Sequence, residues 1–348
     1  MPDWLLPPRP KHRRAPGSLE RIRRAVLAVV PIAALAMTAV AGAPWSPGPS
    51  HPANLATQLH RPGRHVHCVW NHEGIPQFGA YVGAAVGGTQ QLPRLEQQAG
   101  RLGIHRTYYS AGQVDDAVRT ARSDLLAGRT PWISFKLPYS WAAMAAGRGD
   151  AWVRNLADKL ARLPGPVWLA FHHEPEGDGN ELVWKRMQQH LAPIIHARTN
   201  NVAYTIILTA WDALFGPQQY RLSRVWPGSK YVDVLGMDMY NSYGTDRGGQ
   251  SGLPMLDPMK DFRPISRFAR AHHVKWAIAE TGYAPPAVAR NPNWLITEYR
   301  DLRATGGVAL SYFDSSLNSI ANWTLNTPAK LHAFRSILHT TRTRCLKR

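Results

Sequence analysis

The sequence has no glycine-rich phosphate loop where a nucleotide-binding fold would need one. It contains 28 glycines, and Gly83, Gly87 and Gly88 lie in and after the first short apolar run, but they do not have GxGxxG spacing. That spacing lets the backbone approach a pyrophosphate at the start of a helix. Its absence argues against a doubly wound open sheet that binds a dinucleotide.

The chain is also poor in acidic residues, yet it has no nucleic-acid-binding motif. Lys and Arg number 41 against 23 Asp and Glu, which gives a formal charge of +18. Residues 1–43 hold seven basic and two acidic residues, so +13 remains on the rest of the chain. The arginines there are scattered over the predicted helices rather than clustered. We therefore expect no nucleic acid as a partner, and adhesion to an anionic cell-wall polymer or acidic glycan fits the charge better.

What the sequence does contain is a series of eight short apolar runs, each followed by a polar or helical stretch. Such runs, rich in β-branched and aromatic residues, are typical of buried parallel strands. Eight strand–helix units over about 270 residues predict an α/β fold, a closed (β/α)₈ (TIM) barrel. The runs are PQFGAYVGAA from Pro76, GIHRTYYS from Gly103, TPWISFKLP from Thr130, VWLAFHHEP from Val167, VAYTIILTAWD from Val202, VDVLGMDMYN from Val232, VKWAIAETG from Val274 and GVALSYFDSS from Gly307.

Helix-like segments lie between these runs. Asp150 is predicted to cap a helix, because apolar residues recur at helical spacing from Val153 to Leu163. The other predicted helices are Asp115 to Leu126, Val183 to Ile194, Pro258 to Ala271, Trp294 to Ala304 and Pro328 to Leu338.

The N-terminal part of the chain differs from this pattern. Residues 1–43 are basic and proline-rich at first, then apolar over 25–43, with small residues around Ala41. This predicts a cleaved signal peptide or an uncleaved membrane anchor. Residues 44–63 are rich in Pro, Ser and Gly and predict a linker before a catalytic domain over 64–348. Both a cleaved signal peptide and an uncleaved anchor place that domain outside the cytoplasm. We therefore expect a secreted or extracellular protein that contacts a membrane only through its N-terminal segment.

Two glutamates follow the fourth and the seventh predicted strands. Glu174 lies in VWLAFHHEPEGDGN and Glu280 in VKWAIAETGY, where each apolar run gives way to Pro or Gly. Catalytic residues of (β/α)₈ enzymes lie at these strand ends. Two carboxylates there can flank a glycosidic bond as acid/base and nucleophile, and we expect them about 5–5.5 Å apart, the separation of a retaining mechanism. The structural alternative is that each glutamate caps a helix or pairs with an arginine.

The motifs at three strand ends resemble those of glycoside hydrolase family 26, in the large clan of retaining (β/α)₈ glycosidases. They are FHHEPE around Glu174, AETG around Glu280 and GMDMYN around Tyr240. The resemblance spans roughly 65–342. It implies an acid/base at Glu174, a nucleophile at Glu280, the histidine that family 26 carries before its acid/base at His173, and a tyrosine at Tyr240 that hydrogen-bonds the nucleophile. It also implies a β-mannanase-like endo-hydrolase of a β-linked polysaccharide.

Other residues at the strand ends complete the predicted sugar site. Trp211 after strand five and Trp323 after strand eight are placed to stack on pyranose faces. Lys136 stands where a family mannanase tends to present histidine to the sugar, so mannan-like glycans and β-glucans both stay open as substrates. His172 alternates away from the site and is predicted to be structural, and Glu176 to be a loop or cap residue. Candidate ligands of sugar hydroxyls are Asp238, Asn241 and Asp314.

Two other functions are compatible with the sequence. A non-catalytic glycan-binding barrel would keep the shape, although the presence of both glutamates argues against it. A barrel metallohydrolase would use His65-Val66-His67 with His172, His173 and Glu174. However, HxH precedes the first predicted strand by about ten residues instead of ending it, and strands five and six supply no histidine. We expect a monomer with neither a metal nor a cofactor.

Cysteine is scarce as well. Cys68 lies before the first predicted strand and Cys345 lies near the C-terminus, and there are no others. A closed barrel brings its first strand next to its last unit, so one disulfide can join the two ends, which suits an exported protein. Two unpaired thiols are the alternative.

Overall fold

The described part of the chain is a closed barrel of eight parallel strands. The computed structural model describes residues 71–87, 91–246, 252–316 and 321–339. Each strand pairs with the next along the chain, and the last strand pairs with the first. The strands are β1 Tyr81–Val86, β2 Ile104–Tyr109, β3 Thr130–Phe135, β4 Val167–Phe171, β5 Val202–Thr209, β6 Val234–Asn241, β7 Lys275–Tyr283 and β8 Ala309–Asp314. The predicted (β/α)₈ fold is confirmed, and each predicted apolar run overlaps one strand.

The first strand is shorter than its apolar run predicts. It begins at Tyr81 rather than near Pro76. Gly79 has a φ of 75°, which turns the chain out of the extended conformation before the strand starts. Phe78, which precedes this turn, is 65% exposed and contributes no side chain to the core.

Helices connect the strands, as the fold requires. Within the described residues they are α1 Gln91–Ala99, α2 Val114–Leu126, α3 Trp141–Ala145, α4 Asp150–Ala161, α5 Glu181–Arg198, α6 Ala210–Leu214, α7 Leu222–Val225, α8 Pro258–Ala271, α9 Pro285–Arg290, α10 Trp294–Thr305 and α11 Pro328–Leu338. Asp150 is the first residue of α4 and not its cap, because Gly149 occupies the cap position. The Asp150 carboxylate instead lies 2.7 Å from Nε2 of His190 on α5.

Large aromatic side chains fill the barrel interior near the N-terminal ends of the strands. The rings of Trp132 and Trp168 meet edge to face with centroids 5.1 Å apart. Trp132 Nε1 donates to the hydroxyl of Thr205 at 3.0 Å. Gly236 makes room for this packing, because a Cβ atom there would lie 3.2 Å from the Trp132 ring. With the interior filled at this end, the polar residues that can meet a ligand are those at the C-terminal strand ends.

Some sequence predictions concern residues outside the described ranges. These are the signal or anchor segment 1–43, the linker 44–63, and the cysteines Cys68 and Cys345. The boundary at residue 64 is among them. Within the described ranges, no helix is both long and apolar enough to cross a membrane.

Candidate active site

Glu174 lies in a tight loop just beyond the end of β4. The strand ends at Phe171, and both His172 and Glu174 have positive φ values, 48° and 50°. Left-handed backbone is costly for residues other than glycine and persists where the surroundings enforce it. Here the neighbouring strands do so, because the His172 N–H donates to the Phe135 carbonyl at 2.9 Å and the Glu174 N–H to the Ile207 carbonyl at 3.0 Å.

Side chains of helix α5 also hold this loop through hydrogen bonds to its backbone. Gln188 Nε2 donates to the Phe171 carbonyl at 2.8 Å, and Trp184 Nε1 donates to the His172 carbonyl at 3.0 Å. Tyr204 on β5 in turn donates its hydroxyl to the Gln188 side chain at 2.5 Å. The loop that presents Glu174 is therefore fixed by backbone and side-chain hydrogen bonds, which suits a residue that must meet its ligand in one orientation.

Glu280 lies within β7, and three side chains hold its carboxylate. Oε1 accepts hydrogen bonds from the Tyr108 hydroxyl at 2.7 Å and from Arg106 Nη2 at 3.2 Å. Oε2 accepts one from the Tyr240 hydroxyl at 2.6 Å. Glu280 is 6% exposed. Two hydroxyl donors and one guanidinium fix its orientation and stabilise its negative charge.

The two glutamates lie close together, and a third carboxyl group lies beside them. One carboxylate oxygen each from Glu174, Asp238 and Glu280 lies within 4.8 Å of the others. Asp238 stands on β6 directly opposite Glu280 in the strand register. The structure thus brings together the two glutamates that the sequence singles out.

Asp238 is a buried carboxyl group without a hydrogen-bond partner among the described residues. It is 1% exposed, and neither of its side-chain oxygens is bonded. Burial raises its pKa well above the ordinary aspartate value, the Glu280 charge raises the pKa further, and Arg106 opposes both. Asp238 therefore keeps its proton in conditions where most aspartates are ionised, and it adds no full negative charge next to Glu280.

His173 lies at the same end of the barrel. Its ring centroid is 5.4 Å from that of Tyr108, at a tilt of 46°. Burial and the positive charges of Arg106 and Lys136 hold the pKa of His173 well below its usual range, so the imidazole is neutral. Its Nδ1 atom is buried and has no partner among the described residues. A neutral imidazole with a free ring nitrogen can still bond a ligand hydroxyl.

The two predicted tryptophan platforms differ in exposure. Trp211, in α6 just after β5, is 49% exposed. Trp323 is 2% exposed and packs against Tyr240, with ring centroids 4.8 Å apart and an angle of 32° between the planes. Gly282 leaves space for Trp323 beside Tyr240, because a Cβ atom at residue 282 would lie 3.2 Å from the Trp323 side chain. Trp323 thus supports the tyrosine that bonds Glu280 and is not an open platform for a sugar.

Arg106 and Tyr108 are site residues that the sequence reasoning missed. Both lie on β2, in IHRTYY, and alternate residues of a strand point to the same side. Arg106 is 1% exposed, donates from Nη1 to the Ser134 hydroxyl at 3.0 Å and lies over the Trp132 ring at 5.3 Å. An arginine in the middle of a buried strand, followed two residues later by tyrosine, was the available signal.

Glu176 links the Glu174 loop to the end of β5. Its carboxylate accepts a hydrogen bond from the Thr209 N–H at 3.1 Å, and Thr209 precedes α6. Burial, with the nearby charges of Glu174 and Asp212, raises the pKa of Glu176 to about 8. It accordingly holds a proton at neutral pH.

The remaining polar candidates bind other parts of the protein. His172 Nε2 lies 3.0 Å from Asp178, and its ring packs edge to face on Trp141. Lys136 Nζ lies 4.0 Å from the same Asp178, and its side chain is 60% exposed. Two of the candidate hydroxyl ligands use a side-chain oxygen to hold backbone: Asp314 accepts from the Leu325 N–H, and Asn241 from the Tyr243 and Leu256 N–H groups.

A histidine-based metal site is not found among the described residues. There, the one group of possible ligands close enough to share an ion is Glu174, Asp238 and Glu280. Neither His172 nor His173 belongs to it, and His65-Val66-His67 lies outside the described ranges. The Arg106 guanidinium, bonded to Glu280, already supplies a positive charge at that position.

Comparison with family models and with curated protein sequences finds no match. Solved structures do match in fold. A family 26 β-mannanase from Bacteroides ovatus has a TM-score of 0.53 at 14% identity, over 77% of this chain and 89% of that chain. Thermotoga maritima Cel5A, solved with mannotriose, has a TM-score of 0.55 at 11% identity, over 73% and 96%. A family 39 glycoside hydrolase from Bacteroides cellulosilyticus WH2 gives 0.53 at 12% identity, over 77% and 65%. At these identities the likeness establishes the shared (β/α)₈ barrel.

Proposed function

We propose that this protein is a retaining glycoside hydrolase of a β-linked polysaccharide, with Glu280 as nucleophile and Glu174 as acid/base. The observation that carries the proposal is the carboxylate of Glu280, held by Arg106, Tyr108 and Tyr240, with a Glu174 oxygen within 4.8 Å of one of its own. Two carboxyl groups at this separation can act on opposite sides of one glycosidic bond. The family 26 β-mannanase, the Cel5A structure and the family 39 glycoside hydrolase, which share the barrel, are consistent with it.

In the proposed reaction, Glu174 protonates the leaving oxygen while a Glu280 oxygen attacks the anomeric carbon. The bond from that carbon to the leaving group breaks, and an ester bond from the sugar to Glu280 forms. Glu174, now ionised, then takes a proton from water, which attacks the same carbon and releases Glu280. Each step needs Glu280 in one orientation, and the hydroxyls of Tyr108 and Tyr240 supply it.

Asp238 has a part in this scheme as a neutral group. A second ionised carboxylate beside Glu280 would repel its charge, and the raised pKa of Asp238 avoids that. A protonated Asp238 and a neutral His173 offer uncharged donor and acceptor groups to sugar hydroxyls. Trp211, half exposed beyond β5, is the proposed stacking surface for a more distant sugar unit.

The finer assignment is to a family 26-like endo-hydrolase of mannan or β-glucan. It is supported by the HE pair at His173 and Glu174, and by the Tyr240 hydroxyl on Glu280. The unmatched position is Lys136, whose exposed amine replaces the expected histidine. We further propose that the enzyme acts outside the cytoplasm, on the evidence of the apolar segment 25–43.

The decisive experiment screens the full-length protein against a panel of β-mannans, β-glucans and xylans for released reducing ends. Glu174→Gln and Glu280→Gln should each reduce turnover by several orders of magnitude. The matched control is Glu176→Gln, which alters a neighbouring acid that bonds Thr209. On an aryl glycoside with an activated leaving group, Glu174→Gln alone should recover most of the first step, because that step then needs no proton.

Two results would reject the proposal. If Glu280→Gln keeps wild-type activity, the nucleophile is wrong. If the wild type cleaves no member of the panel but binds one of them, the barrel is a glycan-binding protein without catalysis. Loss of activity in Glu176→Gln, with rescue by the activated substrate, would transfer the acid/base role to Glu176.

A further inference from the structure

The outer surface of helix α8 carries a row of basic side chains. Lys260, Arg263 and Arg267 are all exposed and recur at intervals of three and four residues, so they share one face of the helix. The opposite face is buried through Phe262 and Ile265. The packing of α8 on the barrel is made by these apolar side chains, while the three basic side chains face solvent.

A cavity of about 370 Å³ lies along this row. Phe215, Lys260, Arg263 and Arg267 line it, with Asp257 as an acidic lining residue. Its volume falls within the range of about 300–1,000 Å³ that is common for sites of small ligands. A net positive cavity of this size fits part of an anionic ligand.

The three basic side chains have no ion-pair partner in the described part of the chain. Arg129 shows the contrast, since it bonds the carboxylates of both Asp124 and Glu96. Unpaired cations beside one cavity produce a local positive potential that attracts anions.

An aromatic ring forms one wall of the cavity and is held in place. Phe215 is 39% exposed, and Lys260 Nζ lies 5.4 Å from its ring centroid. Arg221 fixes the backbone beneath it, donating from Nη2 to the Phe215 carbonyl at 3.0 Å and from Nη1 to the Leu214 carbonyl. An exposed aromatic ring next to guanidinium groups suits a sugar ring that carries an anionic substituent.

Phe215 also connects this cavity to the C-terminal ends of the strands. It follows α6, and its N–H donates to the Trp211 carbonyl at 2.7 Å, so the two aromatic residues stand one helical turn apart. Trp211 lies two residues beyond the end of β5 and is 49% exposed. The exposed rings of Trp211 and Phe215 thus lie between the C-terminal end of β5 and the basic cavity.

We propose that the cavity lined by Phe215, Lys260, Arg263 and Arg267 is a second binding site, for an anionic polysaccharide. The acidic groups of the polymer contact Arg263 and Arg267, and a pyranose face packs on Phe215. The basic row covers one helix face beside an aromatic ring, whereas a nucleic-acid surface would need a longer basic track. Binding at this site does not depend on catalysis at Glu174 and Glu280, so the two proposals can fail separately.

The test measures binding by affinity electrophoresis of the full-length protein. The gels contain polygalacturonate as a carboxylate polymer, a poly(glycerol phosphate) glycan as a phosphate polymer, neutral mannan, or double-stranded DNA. The variant is Arg263→Glu/Arg267→Glu, which changes two exposed side chains. The matched control is Arg122→Glu/Arg162→Glu, with the same change of charge on α2 and at the end of α4, on the other side of the barrel.

We expect at least one anionic glycan to retard the wild type and the control, and the α8 variant to bind about tenfold more weakly. Retention of neutral mannan should be the same in all three proteins. Retardation by only one anionic polymer identifies its acidic group. Equal loss in the control would show that overall charge governs binding and would overturn the proposal. It would also be overturned if the α8 variant bound like the wild type, or if DNA alone were retained.

Discussion

Arg106 and Glu280 form a buried ion pair between β2 and β7. Arg106 Nη2 lies 3.2 Å from Oε1 of Glu280, and the two side chains are 0% and 8% exposed. The pair spans 174 residues of sequence, so it joins early and late parts of the chain within one barrel. A buried pair of this kind holds geometry more than it adds stability, because both charges lose their hydration.

We expect Arg106→Leu to lower the free energy of unfolding by about 3–5 kcal/mol, since it leaves the Glu280 carboxylate buried without its cation. Urea denaturation measures the change. Arg106→Leu/Glu280→Gln should recover part of the loss because the unpaired charge is gone. Exposed Arg122→Leu, the control, should change stability by no more than about 0.5 kcal/mol. An Arg106→Leu protein as stable as the wild type would contradict a buried ionised pair.

A second prediction concerns the two tyrosines on Glu280. Tyr108→Phe and Tyr240→Phe each remove one hydrogen bond to the Glu280 carboxylate, so the attack geometry should loosen and kcat should fall about tenfold to a hundredfold. The control is Tyr109→Phe, on the same strand but facing away from the site, which should keep full activity. The measurement is kcat at saturating substrate, on the polysaccharide that the activity screen identifies. Unchanged kcat in both site variants would show that the hydroxyls do not position Glu280.

The sequence predicts the site residues that lie in the recognised strand-end motifs, which are Glu174 after β4 and a group on β6 and β7. Glu280, Tyr240 and Asp238 all come from β6 and β7, and the pairing of those strands brings them together. The contact of β2 with Glu280 was not predicted, because alternation shows where Arg106 and Tyr108 point but not which distant side chain they meet.

Trp323 shows the same limit for a loop. Its place in the sequence predicts an exposed ring, but hydrogen bonds hold the backbone of Asn322 and Trp323 against the barrel. The Tyr312 hydroxyl donates to the Trp323 carbonyl at 2.6 Å, and Lys330 Nζ donates to the Asn322 carbonyl at 2.9 Å. Such hydrogen bonds between a loop and the elements on either side of it leave no periodic signal in the sequence. The eight strands do, and the fold was predictable for that reason.

A third prediction follows from a buried acid behind β7. Glu298, on α10, is completely buried, and its Oε1 accepts a hydrogen bond from the Thr281 hydroxyl at 2.8 Å. Burial, with a contribution from Asp261, raises its pKa from 4.5 to about 8. The folded protein therefore binds this proton more tightly than the unfolded chain does. The resulting stability is complete below pH 4.5 and is lost as the pH rises through about 8.

Glu298→Gln should remove that pH dependence, because the amide stays neutral throughout. Relative to the wild type, the variant should gain stability between pH 4.5 and pH 8, by at most about 1.4 kcal/mol per pH unit. Urea denaturation of both proteins over this interval measures the difference. Parallel stability curves would mean that Glu298 is not protonated in the folded protein.

The cysteines give a fourth prediction. We expect a Cys68–Cys345 disulfide in protein recovered from outside the cytoplasm, closing a loop of roughly 280 residues. Loop closure of this length stabilises by about 4–5 kcal/mol in the chain-entropy description, and native strain reduces this value. Intact mass after alkylation of the denatured, unreduced protein decides the matter. No alkyl groups are expected, and two would show free thiols.

The final prediction is the stereochemistry of hydrolysis, because it tests the separation of the carboxylates as well as their identity. Inverting enzymes need about 6.5–9.5 Å between the two groups to admit a water molecule, whereas retaining enzymes hold them at about 5–5.5 Å. One oxygen each of Glu174 and Glu280 lies within 4.8 Å of the other, a close approach that favours the retaining arrangement. Glu280 should therefore attack the sugar directly, and the first product should keep the anomeric configuration of the substrate.

Proton NMR of the first turnovers, before mutarotation, distinguishes the two outcomes. A 2-deoxy-2-fluoro glycoside with a good leaving group should also form a stable ester with the protein, because the fluorine slows hydrolysis of the intermediate. Peptide mapping should place that ester on Glu280, and the Glu280→Gln variant should not react. An inverted first product would show that water attacks the sugar, and Glu280 would then be its base. A label on Glu174 would exchange the roles of the two glutamates.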